Sequence, residues 1–166
     1  MMDVPPEERE QKLWLAERAG EVLASVPIRP GDTVFDFGCG AGAYALPAAE
    51  MVGAEGAVHA MDCDLSRMDP VADAAHSSLH AVHGDGTTHI PLEAASCDVG
   101  LLYDVLQKLD DRRGAMEEMR RVIRPGGVLS VYPMHLDPQQ VRAEVEACGF
   151  RFRDDYAGLV MHFVRE

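Results

Sequence analysis

Apolar residues recur along this chain in two rhythms, one of helices and one of strands. Between Leu13 and Val26 they fall at Leu13, Trp14, Ala16, Ala19, Val22, Leu23 and Val26, the spacing of an amphipathic helix. Pro27 and Pro30-Gly31-Asp32 stop that pattern and turn the chain into a compact strand, Thr33 to Phe37. Tyr44 to Val52 reads as a helix ending near Gly53, a residue suited to the left-handed position that closes a helix. Ala57 to Met61 is a second strand and closes on Asp62, after which Pro70 restricts the helical stretch Ser66 to Ala75 to something short or broken. Leu79 to His83 and Asp98 to Tyr103 are short apolar runs, the mark of strands covered on both faces.

Further along, Ala115, Met116, Met119, Val122 and Ile123 give Arg112 to Ile123 a helical spacing that Arg124-Pro125-Gly126-Gly127 breaks sharply. Val128 to Tyr132 is the fifth strand. Asp137-Pro138 has the form of an N-cap followed by proline at the first helical position, opening a helix that Gly149 ends. Phe150 to Asp155 and Leu159 to Val164, separated by Ala157-Gly158, predict a closing hairpin. Strands alternating with helices imply right-handed crossovers and a parallel sheet, to which the hairpin adds an antiparallel strand.

Composition narrows the class. With 166 residues, 47% hydrophobic and 26% charged, the chain is expected to be one globular domain, residues 1–28 forming an N-terminal helical region and residues 29–166 the core. The start, Met1 to Glu8, is acidic and lacks the basic-then-apolar order of a secretory signal, which points to the cytoplasm. A formal net charge of -13 disfavours nucleic acid and anionic membranes as partners. Cys39, Cys63, Cys97 and Cys148 are too scattered for a zinc site or a disulfide framework, and the histidines form no carboxylate-histidine cluster, so no metal is expected. Lys12 and Lys108 are the only lysines, every other basic side chain being arginine.

Chemistry concentrates where the first strand ends. Val34-Phe35-Asp36-Phe37-Gly38-Cys39-Gly40-Ala41-Gly42 runs an apolar strand carrying an acid into glycines spaced G-x-G-x-G, and a helix follows. Without a Cβ, glycine lets a ligand lie directly against the main chain, which is how a parallel α/β sheet binds a nucleotide-like molecule; the same glycines would also serve a tight packing turn. Asp62, twenty residues after Gly42, sits at the tip of the neighbouring strand, where a carboxylate can accept from two ribose hydroxyls. Asp85-Gly86 lies at the same edge, one strand further out, positioned either to read an exocyclic amine and ring nitrogen or to form an Asx turn.

Taken in order with Cys97-Asp98-Val99-Gly100-Leu101-Leu102-Tyr103-Asp104-Val105-Leu106 and Arg121-Val122-Ile123-Arg124-Pro125-Gly126-Gly127, these segments resemble a class I S-adenosylmethionine-dependent methyltransferase of the type 11-like kind. The resemblance covers about residues 30 to 165. It implies a Rossmann-like, doubly wound α/β fold with a seven-stranded, mostly parallel sheet whose last strand is antiparallel, and S-adenosylmethionine as cofactor. Carried over by residue, it places the methionine part against Asp36, Gly38, Cys39, Gly40 and Gly42, the ribose on Asp62, the adenine against Cys63 with Asp85 and Gly86 at its polar edge, and the sulfonium beside Tyr103.

Asp104, Tyr103 and His135 are the candidates for contact with a methyl acceptor or its proton. Gln107-Lys108 stands where many relatives carry histidine, and Pro133-Met134-His135-Leu136 is a short segment where relatives build the acceptor pocket. The expected acceptor is therefore a small molecule in an open pocket that a second copy of the chain could complete. Two alternatives share the motifs: a non-catalytic cofactor-binding partner, and a nicotinamide oxidoreductase using Gly38, Gly40 and Asp62. Against the second stands the G-x-G-x-G spacing, in place of G-x-G-x-x-G.

Overall fold

The computed structural model describes residues 8–166; the expectation drawn from the acidic opening segment rests on residues 1–7, which lie outside the described residues. The elements are α1 (Glu8–Glu17), α2 (Ala19–Ser25), β1 (Thr33–Phe37), α3 (Ala45–Val52), β2 (Ala57–Asp62), α4 (Asp69–Ala72), β3 (Leu79–His83), β4 (Cys97–Tyr103), α5 (Arg112–Val122), β5 (Ile123–Tyr132), α6 (Pro138–Ala147), β6 (Phe150–Tyr156) and β7 (Val160–Arg165), with short 3-10 turns at Leu65–Arg67 and Leu106–Lys108. They form one seven-stranded sheet in the order β3-β2-β1-β4-β5-β7-β6, in which β7 runs antiparallel to both of its neighbours and the other pairings are parallel.

Strand alternation divides the core in two. Val34, Val58, Ala60, Val99 and Leu101 face one way, onto Leu15, Val22, Leu23 and Ala48, while Phe35, Phe37, Leu102, Leu129 and Val131 face the other, onto Met116, Met119, Val141 and Val145. The helices that cover the second face start from acidic caps: Asp111 accepts from the Gly114 amide at 2.8 Å, and Asp137 accepts from the Gln139 amide at 2.9 Å with Pro138 in the first turn. β1 lies between β2 and β4, so the connections leaving β1 and β4 diverge to opposite faces and open a crevice at the carboxyl edge.

Two local expectations are corrected. The helix predicted across Leu13 to Val26 is two helices broken at Arg18, whose amide bonds Leu15 at 3.0 Å and whose guanidinium stacks 4.4 Å from the Trp14 ring centroid. The break lets Leu15 and the α2 residues Val22 and Leu23 all reach the core while α1 turns toward the carboxyl edge. The fifth strand, expected from Val128, opens at Ile123: Arg124-Pro125-Gly126-Gly127 follows the end of α5 at Val122, as expected, but forms the exposed opening of β5, accommodated by a register shift between Cys97 and Val99 on β4.

Candidate functional site

β1 delivers Phe37 to the crevice and the glycine segment turns back over it. Gly38 and Gly40 have φ of +75° and +52°, a region that L side chains rarely adopt. The turn is fastened to β2: the Gly38 and Cys39 amides both donate to the Met61 carbonyl at 2.8 Å, and the Gly40 amide donates to Asp62 Oδ2 at 2.8 Å. Asp62 Oδ1 accepts from the Asp64 amide at 3.0 Å, so this carboxylate organises the turn while still facing the crevice. The crevice encloses about 380 Å³.

Asp36 is the electrostatic centre of the cavity. It is 2% exposed, and among the described residues no donor reaches its carboxylate. Burial, and then the Asp62 carboxylate, push its pKa up to about 7. The Cys39 thiol beside it is pushed up to about 12 by burial and by Asp36, which makes it a packing group and no nucleophile.

Tyr103 meets Tyr44 edge to face at 4.7 Å and anchors a buried polar chain. Its hydroxyl lies 2.6 Å from Ser130 Oγ, Ser130 Oγ lies 2.9 Å from His162 Nδ1, and His162 Nε2 lies 3.0 Å from Ser25 Oγ, whose proton goes to the Val22 carbonyl at 2.5 Å. Burial lowers the His162 pKa, so the ring is neutral at pH 7. Ser25 has one proton and gives it to Val22; His162 must therefore donate from Nε2 and accept at Nδ1 from Ser130, which leaves Tyr103 as the donor to Ser130. All the hydroxyls along this chain point one way, and the Tyr103 hydroxyl is turned into the sheet, away from an acceptor.

Asp104 holds a positive φ of +54° at the crevice mouth. Its Oδ2 lies 2.5 Å from Lys12 Nζ and 3.6 Å from Lys108 Nζ, and its Oδ1 accepts from Gln107 Nε2 at 2.5 Å. Arg67 also lines the cavity, close enough to Gly40 that a Cβ there would meet its guanidinium at 2.9 Å.

Of the expected site residues, Asp36, Gly38, Cys39, Gly40, Asp62, Cys63, Gly86, Tyr103 and Asp104 come together around the cavity. Three do not line it. The Asp85 carboxylate faces solvent and accepts from the Thr87 amide at 2.9 Å and hydroxyl at 2.5 Å, the Asx turn that competed with the adenine role. Gly42 packs against Val71 and Leu46, where a side chain would clash, and His135 is exposed in the turn after β5. Reasoning from motifs missed Tyr44, Arg67 and Lys12. For Lys12 the only trace in the sequence was that lysine is rare, Lys12 and Lys108 being the two in the chain; their meeting at one carboxylate is a tertiary contact. Among the described residues no group of three or more histidine, cysteine, aspartate or glutamate side chains could hold a metal ion.

Residues 35–131 match the family described as Methyltransferase domain. The chain is 25% identical over 145 residues to the demethylmenaquinone methyltransferase of Staphylococcus haemolyticus, a match covering 86% of this chain and 59% of that protein; it spans roughly half the length of the curated relatives it matches. Its fold is shared with a SAM-dependent methyltransferase from Aquifex aeolicus at TM-score 0.74 and 20% identity, over 95% of this chain and 97% of that one. It is also shared with a phosphoethanolamine N-methyltransferase of Haemonchus contortus, solved with phosphomonomethylethanolamine and S-adenosylhomocysteine, at TM-score 0.71 and 18% identity, over 81% of this chain and 37% of that one. The chain thus belongs to the methyltransferase-domain family of class I, whose cofactor is S-adenosylmethionine. No described helix is long and apolar enough to cross a membrane.

Proposed function

We propose that the chain transfers a methyl group from S-adenosylmethionine to a small-molecule acceptor. Asp36 carries the reading: a deeply buried carboxylate with no donor of its own, facing a cavity under a glycine turn, suits a ligand that brings a cation. In this reading Asp36 meets the ammonium of the cofactor's amino-acid end, the Gly38 and Gly40 backbone lies against it, and Asp62 uses its remaining lone pairs for the ribose hydroxyls. Tyr103, held by Ser130, stands with Tyr44 as a rigid aromatic wall. When bound, the cofactor supplies a sulfonium methyl that an acceptor lone pair can displace, so the chain has mainly to position the acceptor and keep water out.

Asp104 is engaged by two lysines and an amide, which fits a residue that shapes the mouth better than one that takes a proton. The acceptor's proton then leaves to water before or during transfer. The demethylmenaquinone methyltransferase relative supports including quinol-type compounds among acceptors to be tried.

Calorimetric titration with S-adenosylhomocysteine and with NADH tests the cofactor: micromolar binding of the thioether alone is expected, and NADH binding without it would replace the reading with a nicotinamide enzyme. Transfer from methyl-labelled donor to an acceptor panel tests the activity. Tight donor binding with no transfer to any compound would leave a cofactor-binding partner instead.

A further inference from the structure

The exposed charges around the cavity are cationic: Lys12, Lys108 and Arg67 reach solvent, while the acids that line it, Asp36, Asp62 and Asp104, are buried or nearly so. In a chain of formal net charge -13, its two lysines come from α1 and from the turn after β4 to the same carboxylate oxygen. One carboxylate cancels one ammonium and leaves the other in excess. Both lysines are about half exposed, so the surplus charge faces the approach to the cavity. Arg67, over Gly40, adds a third cation to the lining.

We infer that the methyl acceptor carries an anionic oxygen group, a carboxylate or phosphate, received by Lys12 and Lys108. The inference rests on the methyltransferase reading above and names its substrate class. The cations at Gly40 and at Asp104 divide the work. Arg67 stands over the glycine turn, where the cofactor's amino-acid end and its carboxylate would lie, while the lysine pair converges on Asp104, the residue after Tyr103 at the end of β4. An anion placed between the ammonium groups shares them with Asp104 and relieves their mutual repulsion. Asp104 thereby sets the spacing of the pair and keeps it from collapsing onto the acids within the cavity.

The test uses the full chain saturated with S-adenosylhomocysteine and titrated with 4-hydroxybenzoate, 4-hydroxybenzamide and 4-hydroxybenzylamine, which share a ring and a hydroxyl and differ in charge. The anion is expected to bind about tenfold tighter than the amide, with the amine weakest. In the Lys12→Met/Lys108→Met double variant that ratio should fall to about twofold, whereas Lys12→Arg/Lys108→Arg should keep most of it. S-adenosylhomocysteine affinity should change little in either. Equal affinities, no binding by any of the three at millimolar concentration, or a preference that survives in the methionine variant would overturn the inference. So would a tenfold loss of S-adenosylhomocysteine affinity with the probe preference intact, because the lysines would then serve the cofactor. Failure of the wild-type chain to bind S-adenosylhomocysteine would instead remove the reading on which the inference stands.

Discussion

At the amino-terminal edge of the sheet, Asp98 accepts from the Thr33 amide at 2.8 Å and from the Arg124 guanidinium at 2.7 Å, and Asp32 accepts from the Arg29 amide at 2.8 Å. At the carboxyl edge, Asp36 accepts from no described group and Asp62 only from the backbone of the turns it shapes. Both edges carry a hollow of similar size, about 330 Å³ below and about 380 Å³ above. The lower one is rimmed by Arg29, Arg124 and Arg153 beside those two acids, and both acids already hold donors from the protein itself. The upper one keeps a buried acid without a donor, a cost that a folded chain tolerates where a ligand supplies the missing partner. The difference locates the site better than cavity size does.

The largest effects should come from neutralising one acid at each edge. Asp36→Asn is expected to weaken S-adenosylhomocysteine binding by roughly a hundredfold in calorimetry, through loss of a charge-assisted contact. The same change should stabilise the ligand-free chain at pH 8 by roughly 1–4 kcal/mol in urea unfolding, because the folded pKa of Asp36 is raised. The sign follows from the shift: stability from Asp36 is fully present below about pH 4 and is lost as the pH rises to about 7, a slope that Asp36→Asn should abolish. Asp98→Asn should do the reverse, costing roughly 1–3 kcal/mol of stability and leaving ligand affinity within about twofold. If both substitutions act alike, the contrast between the edges fails.

Ser130→Ala comes next. It strands the Tyr103 hydroxyl and His162 Nδ1 together, and should cost roughly 2–3 kcal/mol in the same unfolding measurement. Cofactor binding should then depend on pH more gently: with Asp36 at about 7, S-adenosylhomocysteine affinity is expected to be about tenfold higher at pH 8 than at pH 6, with proton release seen as a buffer-dependent enthalpy. A flat profile would mean that Asp36 does not meet the ligand's cation. The smallest effect should be that of Arg124→Ala, whose exposed ion pair with Asp98 is worth about 1 kcal/mol or less, with no change in ligand affinity.

The strands and the glycine turn were legible because short apolar runs and Gly/Pro stops are local properties. β1 and β3 have the predicted bounds, and β2 and β4 differ by one residue at one end. The class of cofactor was legible because motifs recur in order along the whole chain. What stayed hidden depends on tertiary contact. Arg18 breaks a helix whose periodicity runs on, since its partner is a tryptophan ring and the core beneath has to be met from two directions. Asp85 occupies the position of a ligand-facing acid, yet Thr87 two residues later captures its carboxylate. Lys12 belongs to the site only because the folded chain brings α1 to Asp104.

The glycine turn hangs from β2 by three short hydrogen bonds, whereas the first helix is held at the mouth by a half-exposed lysine, a contact worth about 1 kcal/mol or less. Of the two, that helix is the cheaper to displace, and ligand entry is expected to pass beneath it. Trp14, the chain's single tryptophan, lies two residues from Lys12, so its intrinsic fluorescence should report each arrival and departure, and an emission indifferent to saturating S-adenosylhomocysteine would send the route elsewhere.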